Sequence, residues 1–157
     1  MGYNAIDLID KCILIEAKKR KILKTIADSD DISTRLRIVI KALLKDINRV
    51  TDYYDNIKKE LYEIDDLSDI EFRTYDKISF LVNEYSNKIE MLDMKKNSPR
   101  EFLQFFLELT IDKHALFVDV QGRLYNNMKT NDKAYNILSQ VISFSRYEIR
   151  IIQKTIK

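Results

Sequence analysis

Hydrophobic residues recur every three or four positions along most of this chain, which is the period of an amphipathic α-helix. The clearest such stretch runs from Ser98 to Met128. Ser98, followed at once by Pro99 and three residues later by Glu101, predicts the start of a helix at Pro99 with Ser98 as its N-cap. The positions that follow with helical spacing form one stripe: Leu103, Leu107, Thr110, Phe117, Gln121 and Leu124. We predict that this stripe faces the core.

The same periodicity predicts five helices in all, separated by short polar breaks. Asn4 is the predicted N-cap of the first. The third helix is long, and at the helical rise it covers about 40 Å. The predicted ranges are 5–27, 34–64, 69–94, 99–128 and 132–156.

Composition supports a single all-α domain. The chain has 157 residues, of which 45% are apolar and 33% are charged, and it has only two glycines and one proline. A β-sandwich, a barrel or a doubly wound sheet needs far more turn residues than that. The length suits one domain with a full core and is too short for two.

Charge and cysteine usage exclude several classes of partner and predict a cytoplasmic protein. The net charge is only +2, from 27 basic and 25 acidic residues, so no basic surface for nucleic acid or for an anionic membrane is expected. A single cysteine, Cys12, excludes an internal disulfide and fits a reducing compartment. The N-terminal sequence MGYNAIDLID does not have the pattern of a signal peptide, and apolar runs such as ISFLV are too short for a membrane span.

Polar residues interrupt the predicted apolar stripes at a few positions, and these are the candidate site residues. His114, the only histidine, lies in the middle of the fourth stripe. The basic run from Lys18 to Lys21 is interpreted as a solvated helix face, because consecutive helical residues point in different directions. The other candidates are Glu16 and Arg20 in the first helix, Asp46 and Arg49 in the second, and Ser145 and Glu148 in the fifth.

A weak internal repeat relates two halves of the chain. Helix 1 aligns with helix 4, and helix 2 aligns with helix 5. Glu16 and Asp46 are 30 residues apart in the first half, and His114 and Ser145 are 31 residues apart in the second. The aligned pairs are Glu16 with His114, Asp46 with Ser145, and Arg49 with Glu148. Two similar helical hairpins, at 5–64 and 99–156, are therefore predicted, joined by a crossover helix at 69–94.

The two segments CILIEAKKRKIL and REFLQFFLELTIDKHALFVDVQGRLY resemble the first and third bundle helices of ferritin-like proteins of the rubrerythrin type. The resemblance covers roughly residues 5–60 and 99–157. It implies a four-helix bundle made of two hairpins with one long crossover. It also implies a di-iron centre, in which each hairpin supplies a glutamate from its first helix and a Glu-x-x-His motif from its second.

This chain departs from that ligand pattern at most positions. Glu16 fits the first glutamate, and Asp46 is a shorter substitute for the glutamate of the first Glu-x-x-His. Arg49 replaces the histidine of that motif. His114 stands where the first helix of the second hairpin is expected to supply its glutamate. Ser145 and Glu148 stand where the second Glu-x-x-His is expected. Four positions could still ligate a metal: Glu16, Asp46, His114 and Glu148.

The altered set predicts a structural polar core that needs no metal. Three carboxylates at Glu16, Asp46 and Glu148 would be balanced by Arg49, Arg20 and a protonated His114, with Ser145 completing the polar core. A guanidinium repels divalent cations and does not deprotonate to ligate them. No cofactor is therefore expected, and the alternative is a single iron or other divalent metal on the four remaining ligands.

Three functions remain open at this point. The first is a non-catalytic ferritin-like protein that acts by binding or scaffolding, as a homodimer with a protein partner that the sequence does not identify. The second is an iron-dependent oxidoreductase or iron-handling protein with an atypical ligand set. The third is a helical export chaperone, a class that is also short, charged and poor in glycine.

Overall fold

The computed structural model describes residues 3–65, 67, 69–125 and 133–156, and these residues fold as an all-helical protein. The all-α prediction is therefore confirmed. A short 3₁₀ helix, Glu90–Lys95, continues directly from the third α-helix. The five α-helices of the described residues are α1 (Ala5–Ala27), α2 (Thr34–Tyr62), α3 (Phe72–Ile89), α4 (Pro99–Leu124) and α5 (Lys133–Ile156).

The helix bounds differ most from the predicted ones at α3. Its α-helical part is Phe72–Ile89 and not 69–94, because the backbone tightens to 3₁₀ geometry at Glu90. Since a 3₁₀ helix rises about 2 Å per residue, the two segments together still account for about 39 Å of rise. The predicted end of the fourth helix at 128 and the predicted start of the fifth at 132 lie outside the described residues.

Side-chain caps explain where α1, α2 and α4 begin. Asn4 accepts a hydrogen bond from the Ile6 amide at 2.8 Å, and Asp7 accepts one from the Asn4 amide at 2.8 Å, so α1 starts with a reciprocal capping box. Ser33 and Ser98 cap α2 and α4 by accepting from backbone amides at 3.1 and 3.3 Å. The predicted N-caps at Asn4 and Ser98 are confirmed.

Contacts along α1/α2 and α4/α5 show that each pair is antiparallel. Asp10 pairs with Lys58 at 2.6 Å, whereas Arg20, further along α1, donates to Thr51, earlier on α2. On α4 and α5, Lys113 pairs with Glu148, and Gln121 donates to Ser139 at 2.8 Å. In each pair the later helix packs on the earlier one and runs in the opposite direction.

The third helix returns the chain to the end at which α1 finishes. Lys11 lies over the Tyr75 ring and Lys18 donates to Ser86, so α3 runs in the same direction as α1. It is antiparallel to α4, on which it packs. As a result α4 runs parallel to α2, and α5 runs parallel to α1.

Buried apolar side chains form two clusters, one toward each end of the helices. On α4 the first cluster extends to Leu109 and the second starts at Val120. On α5 the two clusters contain Ile152 and Val141 respectively. A layer of buried charged residues lies between them and is described below. Within the described ranges, no helix has the combination of length and apolarity that crossing a membrane would require.

Candidate functional site

Four charged side chains from three helices are almost completely shielded from solvent. Their exposed fractions are 2% for Glu16, 1% for Lys19, 2% for Lys113 and 5% for Glu148. We refer to these four residues as the buried tetrad. Charged residues are rarely buried to this degree unless they are paired. The tetrad is therefore the chemically most unusual part of the described structure.

The Lys113 ammonium lies between the two carboxylates of the tetrad. Its Nζ donates to Glu148 Oε1 at 3.0 Å and to Oε2 at 2.8 Å, and it lies 3.7 Å from Glu16 Oε2. Lys19 Nζ donates to the same Glu16 oxygen at 3.1 Å. Lys113 thus connects α4 to both α1 and α5, and the four formal charges sum to zero.

Aromatic rings lie close to both ammonium groups. Lys19 Nζ lies 5.5 Å from the centroid of the Tyr85 ring and 5.8 Å from that of Phe106. Lys113 Nζ lies 5.8 Å from the centroid of the Tyr54 ring. These distances are within the range of cation–π attraction, which is stronger when the cation is desolvated. The rings therefore replace part of the hydration that the two lysines lose on burial.

The electrostatic environment shifts the pKa values of three of these residues, Glu16, Lys113 and Glu148, in different ways. Burial opposes ionisation of Glu16, but Lys113 and Lys19 together hold the pKa of that carboxyl below its ordinary value. Burial also opposes the charge on Lys113, yet Glu148 and Glu16 raise the pKa of its ammonium above the ordinary 10.5. For Glu148 burial is the larger effect and raises its pKa, with Lys113 opposing that shift. Lys113 is therefore an ammonium ion throughout the physiological pH range.

Two of the candidate site residues, Glu16 and Glu148, belong to the tetrad, and Asp46 and Arg49 do not. Asp46 is partly buried and pairs with Arg49 on its own helix, while the Arg49 side chain is 47% exposed and lies over the Tyr147 ring. The prediction that Arg49 lies in the polar core is therefore wrong. The neighbouring positions Ile47 and Val50 face the core instead, which places Arg49 on the outer side of α2.

His114 and Ser145 form a separate contact beside the tetrad. Ser145 Oγ donates to the Ile142 carbonyl at 2.6 Å, so it accepts from His114 Nδ1, which lies 2.5 Å away. Burial, and then the nearby Arg146, lower the pKa of His114 below its usual 6.5. The imidazole is therefore neutral at pH 7. Ser145 is fully buried as predicted, whereas His114 is only partly buried and lies at the edge of the core.

The residues of the basic run on α1 also differ in burial, which the sequence did not indicate. Arg20, a predicted core residue, donates to Asn48 and Thr51 at 3.1 Å each and lies at the partly exposed edge between α1 and α2. Lys19, interpreted as part of a solvated face, is the buried one. The correction has a simple geometric reason: Lys19 is three residues after Glu16 and four before Leu23, so it shares their buried face.

Both lysines of the tetrad were absent from the candidate residues. The buried face of α4 includes Thr110, Lys113 and Val120. The residue in the middle of this face is therefore Lys113, one position before the predicted His114. The sequence contained one indication that Lys113 is buried, which is its spacing of four residues after Leu109 and three after Thr110. Lysine is so commonly exposed that this spacing alone did not indicate burial.

Replacing Arg49 by methionine should change the free energy of unfolding by no more than about 1 kcal/mol. The substitution removes a solvent-exposed ion pair with Asp46 and a surface contact with Tyr147, and such interactions contribute little. Urea denaturation of both proteins measures the difference. A loss of about 3 kcal/mol or more would instead mean that Arg49 is buried.

The cysteine does not supply a reactive thiolate. Cys12 lines a small apolar cavity of about 30 Å³ together with side chains such as Phe117 and Val141. Burial is the largest influence on this thiol and raises its pKa to about 12. A thiol in this environment remains protonated at neutral pH and acts as a small apolar side chain.

The described residues contain no group of three or more His, Cys, Asp and Glu side chains placed to hold a metal ion. Glu16 and Glu148 approach each other only through Lys113, and Asp46 and His114 contact other partners. Comparisons of the chain with models of protein families, with curated proteins and with solved structures found no match.

Proposed function

We propose that this protein is a ferritin-like four-helix bundle whose central site holds a lysine ammonium where the resembled family holds metal, and that it acts by binding rather than by catalysis. The observation that carries the proposal is the position of Lys113 Nζ, between Glu16 and Glu148. In the resemblance, these two glutamates stand at ligand positions of the di-iron centre. Here they bind a cation that is part of the chain.

The directions of the helices support this assignment. A ferritin-like fold consists of two antiparallel hairpins with one long crossover between them. Here α1/α2 and α4/α5 are the hairpins, and α3 with the 3₁₀ helix carries the chain between them. Contacts between α2 and α5, such as the stack of Tyr53 on Phe144 at 4.0 Å, join the two hairpins. The crossover packs against both α1 and α4.

The residues present do not fit a di-iron centre. Two ferrous ions carry four positive charges, and the tetrad has only two carboxylates, which Lys19 and Lys113 already neutralise. An ammonium group repels a divalent cation and, with its pKa raised by Glu148 and Glu16, it does not deprotonate to act as a ligand. The tetrad therefore does not offer a binding site for two iron ions.

The same chemistry argues against catalysis at the tetrad by other routes. A nucleophilic lysine requires a lowered pKa, and that of Lys113 is raised. Both carboxylates are engaged by ammonium groups within a layer of aromatic and aliphatic side chains. The tetrad is best explained as a structural element, so the surface of the helices is the part available for function.

Titration with ferrous iron under anaerobic conditions tests this proposal. We expect no stoichiometric binding, and no ferroxidase turnover when the sample is exposed to oxygen. Elemental analysis of protein purified without chelator should likewise find less than a stoichiometric amount of iron. The matched control is the variant Lys88→Ala, which removes a surface lysine and should behave as the wild type does.

Two results would contradict the proposal. Tight binding of two equivalents, with an oxo-bridged absorption band after oxidation, would show a working di-iron centre. One equivalent that is lost in the variant His114→Ala would show a mononuclear site on the residues that the sequence analysis selected.

A further inference from the structure

The third helix is held to the rest of the protein by fewer buried side chains than α1, α2 or α4. Only three of the 18 residues of α3 are buried, compared with eight of 23 in α1 and nine of 26 in α4. α3 also packs less extensively on α1 and α4 than the two helices of each hairpin pack on each other. Because burial of apolar surface supplies most of the free energy that holds helices together, α3 is the most weakly attached of these helices.

Polar contacts at the protein surface join α3 to both neighbouring helices. Lys88 pairs with Asp112 of α4, and both side chains are more than one third exposed. On the other side, Lys18 of α1 donates to the Ser86 carbonyl at 2.8 Å and to the Ser86 hydroxyl at 3.0 Å, and Lys18 is itself partly exposed. Contacts of this kind contribute little to stability, because water replaces them readily when they break.

A buried hydrogen bond attaches α3 to the core beside the tetrad. Tyr85 Oη donates to the backbone carbonyl of Leu109 on α4 at 2.8 Å, and we refer to this hydrogen bond as the Tyr85 contact. The ring of Tyr85 lies over the Lys19 ammonium, and Leu109 is one helical turn before Lys113. The Tyr85 contact therefore lies where α3 meets the tetrad.

The apolar cavity beside Cys12 lies directly beneath α3. Ile78 and Val82 line it from α3, and Cys12 and Val120 line it from α1 and α4. Side chains that border a cavity lack partner atoms on that side, so they lose part of the dispersion attraction that close packing gives. The cavity therefore weakens the packing of α3 further, and displacement of α3 would open the cavity to solvent.

The junction between α3 and the 3₁₀ helix has the properties of a hinge. The backbone changes from α to 3₁₀ geometry at Glu90, and such a change within a helical segment often marks a hinge. Ile89 and Leu92, on either side of the junction, are fully buried in the first apolar cluster. They hold the junction in place, whereas the part of α3 before Ile89 has only the attachments described above.

We propose that α3 is a hinged lid over the cavity and the buried tetrad. The lid opens about the junction at Glu90 while α1, α2, α4 and α5 stay folded. Opening breaks the Tyr85 contact together with the surface contacts of Lys18 and Lys88, and it admits water to the ammonium of Lys19. This inference concerns a motion of the fold and does not depend on the proposed binding function.

Native-state hydrogen exchange, measured residue by residue with NMR, tests the inference. Relative to their intrinsic rates, we expect the most protected amides of α3 to exchange at least about tenfold faster than those of α1, α2 and α4. The free energy of opening of α3 should also depend only weakly on low concentrations of denaturant. The reason is that opening of the lid exposes far less surface than unfolding of the whole protein.

Two matched variants distinguish opening of the lid from unfolding of the whole protein. Tyr85→Phe removes the Tyr85 contact, so the amides of α3 should exchange about fivefold faster than in the wild type. The control, Ile47→Val, changes a buried residue of α2 and should speed the slowest amides of the hairpins by about the same factor. Because opening of the lid leaves α2 folded, exchange in α3 should stay within about twofold of the wild type in this control.

Four results would overturn the inference. Two come from the wild type and do not require any variant to fold: amides of α3 that are as well protected as those of α1 and α4, or an opening of α3 that depends on denaturant as steeply as global unfolding does. Faster exchange of α3 in Ile47→Val, to the same extent as in Tyr85→Phe, would show that α3 opens only when the whole protein unfolds. Unchanged exchange of α3 in Tyr85→Phe would show that the Tyr85 contact does not hold the lid closed.

Discussion

Replacing Lys113 by methionine should lower the free energy of unfolding by about 3–5 kcal/mol. Methionine has nearly the same length and fits the apolar surroundings, so the loss arises from charge and not from a cavity. The substitution leaves Glu148 without its ammonium partner and Glu16 with Lys19 alone. Removing one member of a buried ion pair leaves the other charge buried and uncompensated, which is strongly destabilising. Urea denaturation at pH 7 gives the difference.

The pH dependence of the stability of Lys113→Met distinguishes an uncompensated buried charge from a packing defect. Without Lys113, only Lys19 still opposes the effect of burial on Glu148, so its folded-state pKa rises further above the ordinary 4.5. A carboxyl with a raised folded-state pKa favours the folded state as pH falls, because the folded protein binds the proton more readily. The stability difference from the wild type should therefore shrink as the pH is lowered toward the unfolded-state value.

A matched lysine provides the control for this prediction. Lys88 also pairs with a carboxylate, Asp112, but its side chain is 37% exposed. Lys88→Met should cost no more than about 1 kcal/mol, since exposed ion pairs contribute little. Equal losses in the two variants, or a Lys113→Met loss that does not vary with pH, would contradict the buried-charge explanation.

Replacing all four tetrad residues by apolar ones of similar size should have the opposite effect. The variant with Glu16→Leu, Lys19→Met, Lys113→Met and Glu148→Leu should be as stable as the wild type, or more stable by about 1–4 kcal/mol. Burying four charges has a large desolvation cost that their mutual attraction offsets only in part. Apolar side chains avoid that cost and join the two apolar clusters into one core.

Chemical denaturation of the fourfold variant measures this effect beside Lys113→Met. The difference in stability between the two variants is informative. Lys113→Met leaves buried charges without a partner, whereas the fourfold variant removes all four charges. A fourfold variant less stable than the wild type would show that the tetrad contributes net stability compared with apolar side chains.

The helices could be predicted from the sequence because their signals are local. Apolar spacing predicted α1 and α2 to within two residues, and the cap residues Asn4 and Ser98 predicted where α1 and α4 begin. The transition to 3₁₀ geometry at Glu90 was missed, since no glycine or proline marks it.

The candidate site was predicted only in part because burial of a charge depends on its partner. Glu16 and Glu148 were selected correctly as buried polar residues, since they interrupt apolar stripes. Lys19 and Lys113 were not, because a lysine at the edge of a stripe is usually exposed. Only the pairing across helices identifies them, and that pairing becomes visible in the folded structure.

The layer of charges between the two apolar clusters also fixes how far each helix is displaced along its axis. Apolar side chains on either side could repack if α4 slid by one turn relative to α5, because aliphatic contacts have little directional preference. The same slide would move Lys113 by about 5.4 Å and separate it from Glu148, which now lies at 2.8 Å. Every misaligned arrangement would thus carry an unpaired buried charge. The tetrad therefore selects one axial alignment of α1, α4 and α5 from several that the apolar residues alone would accept.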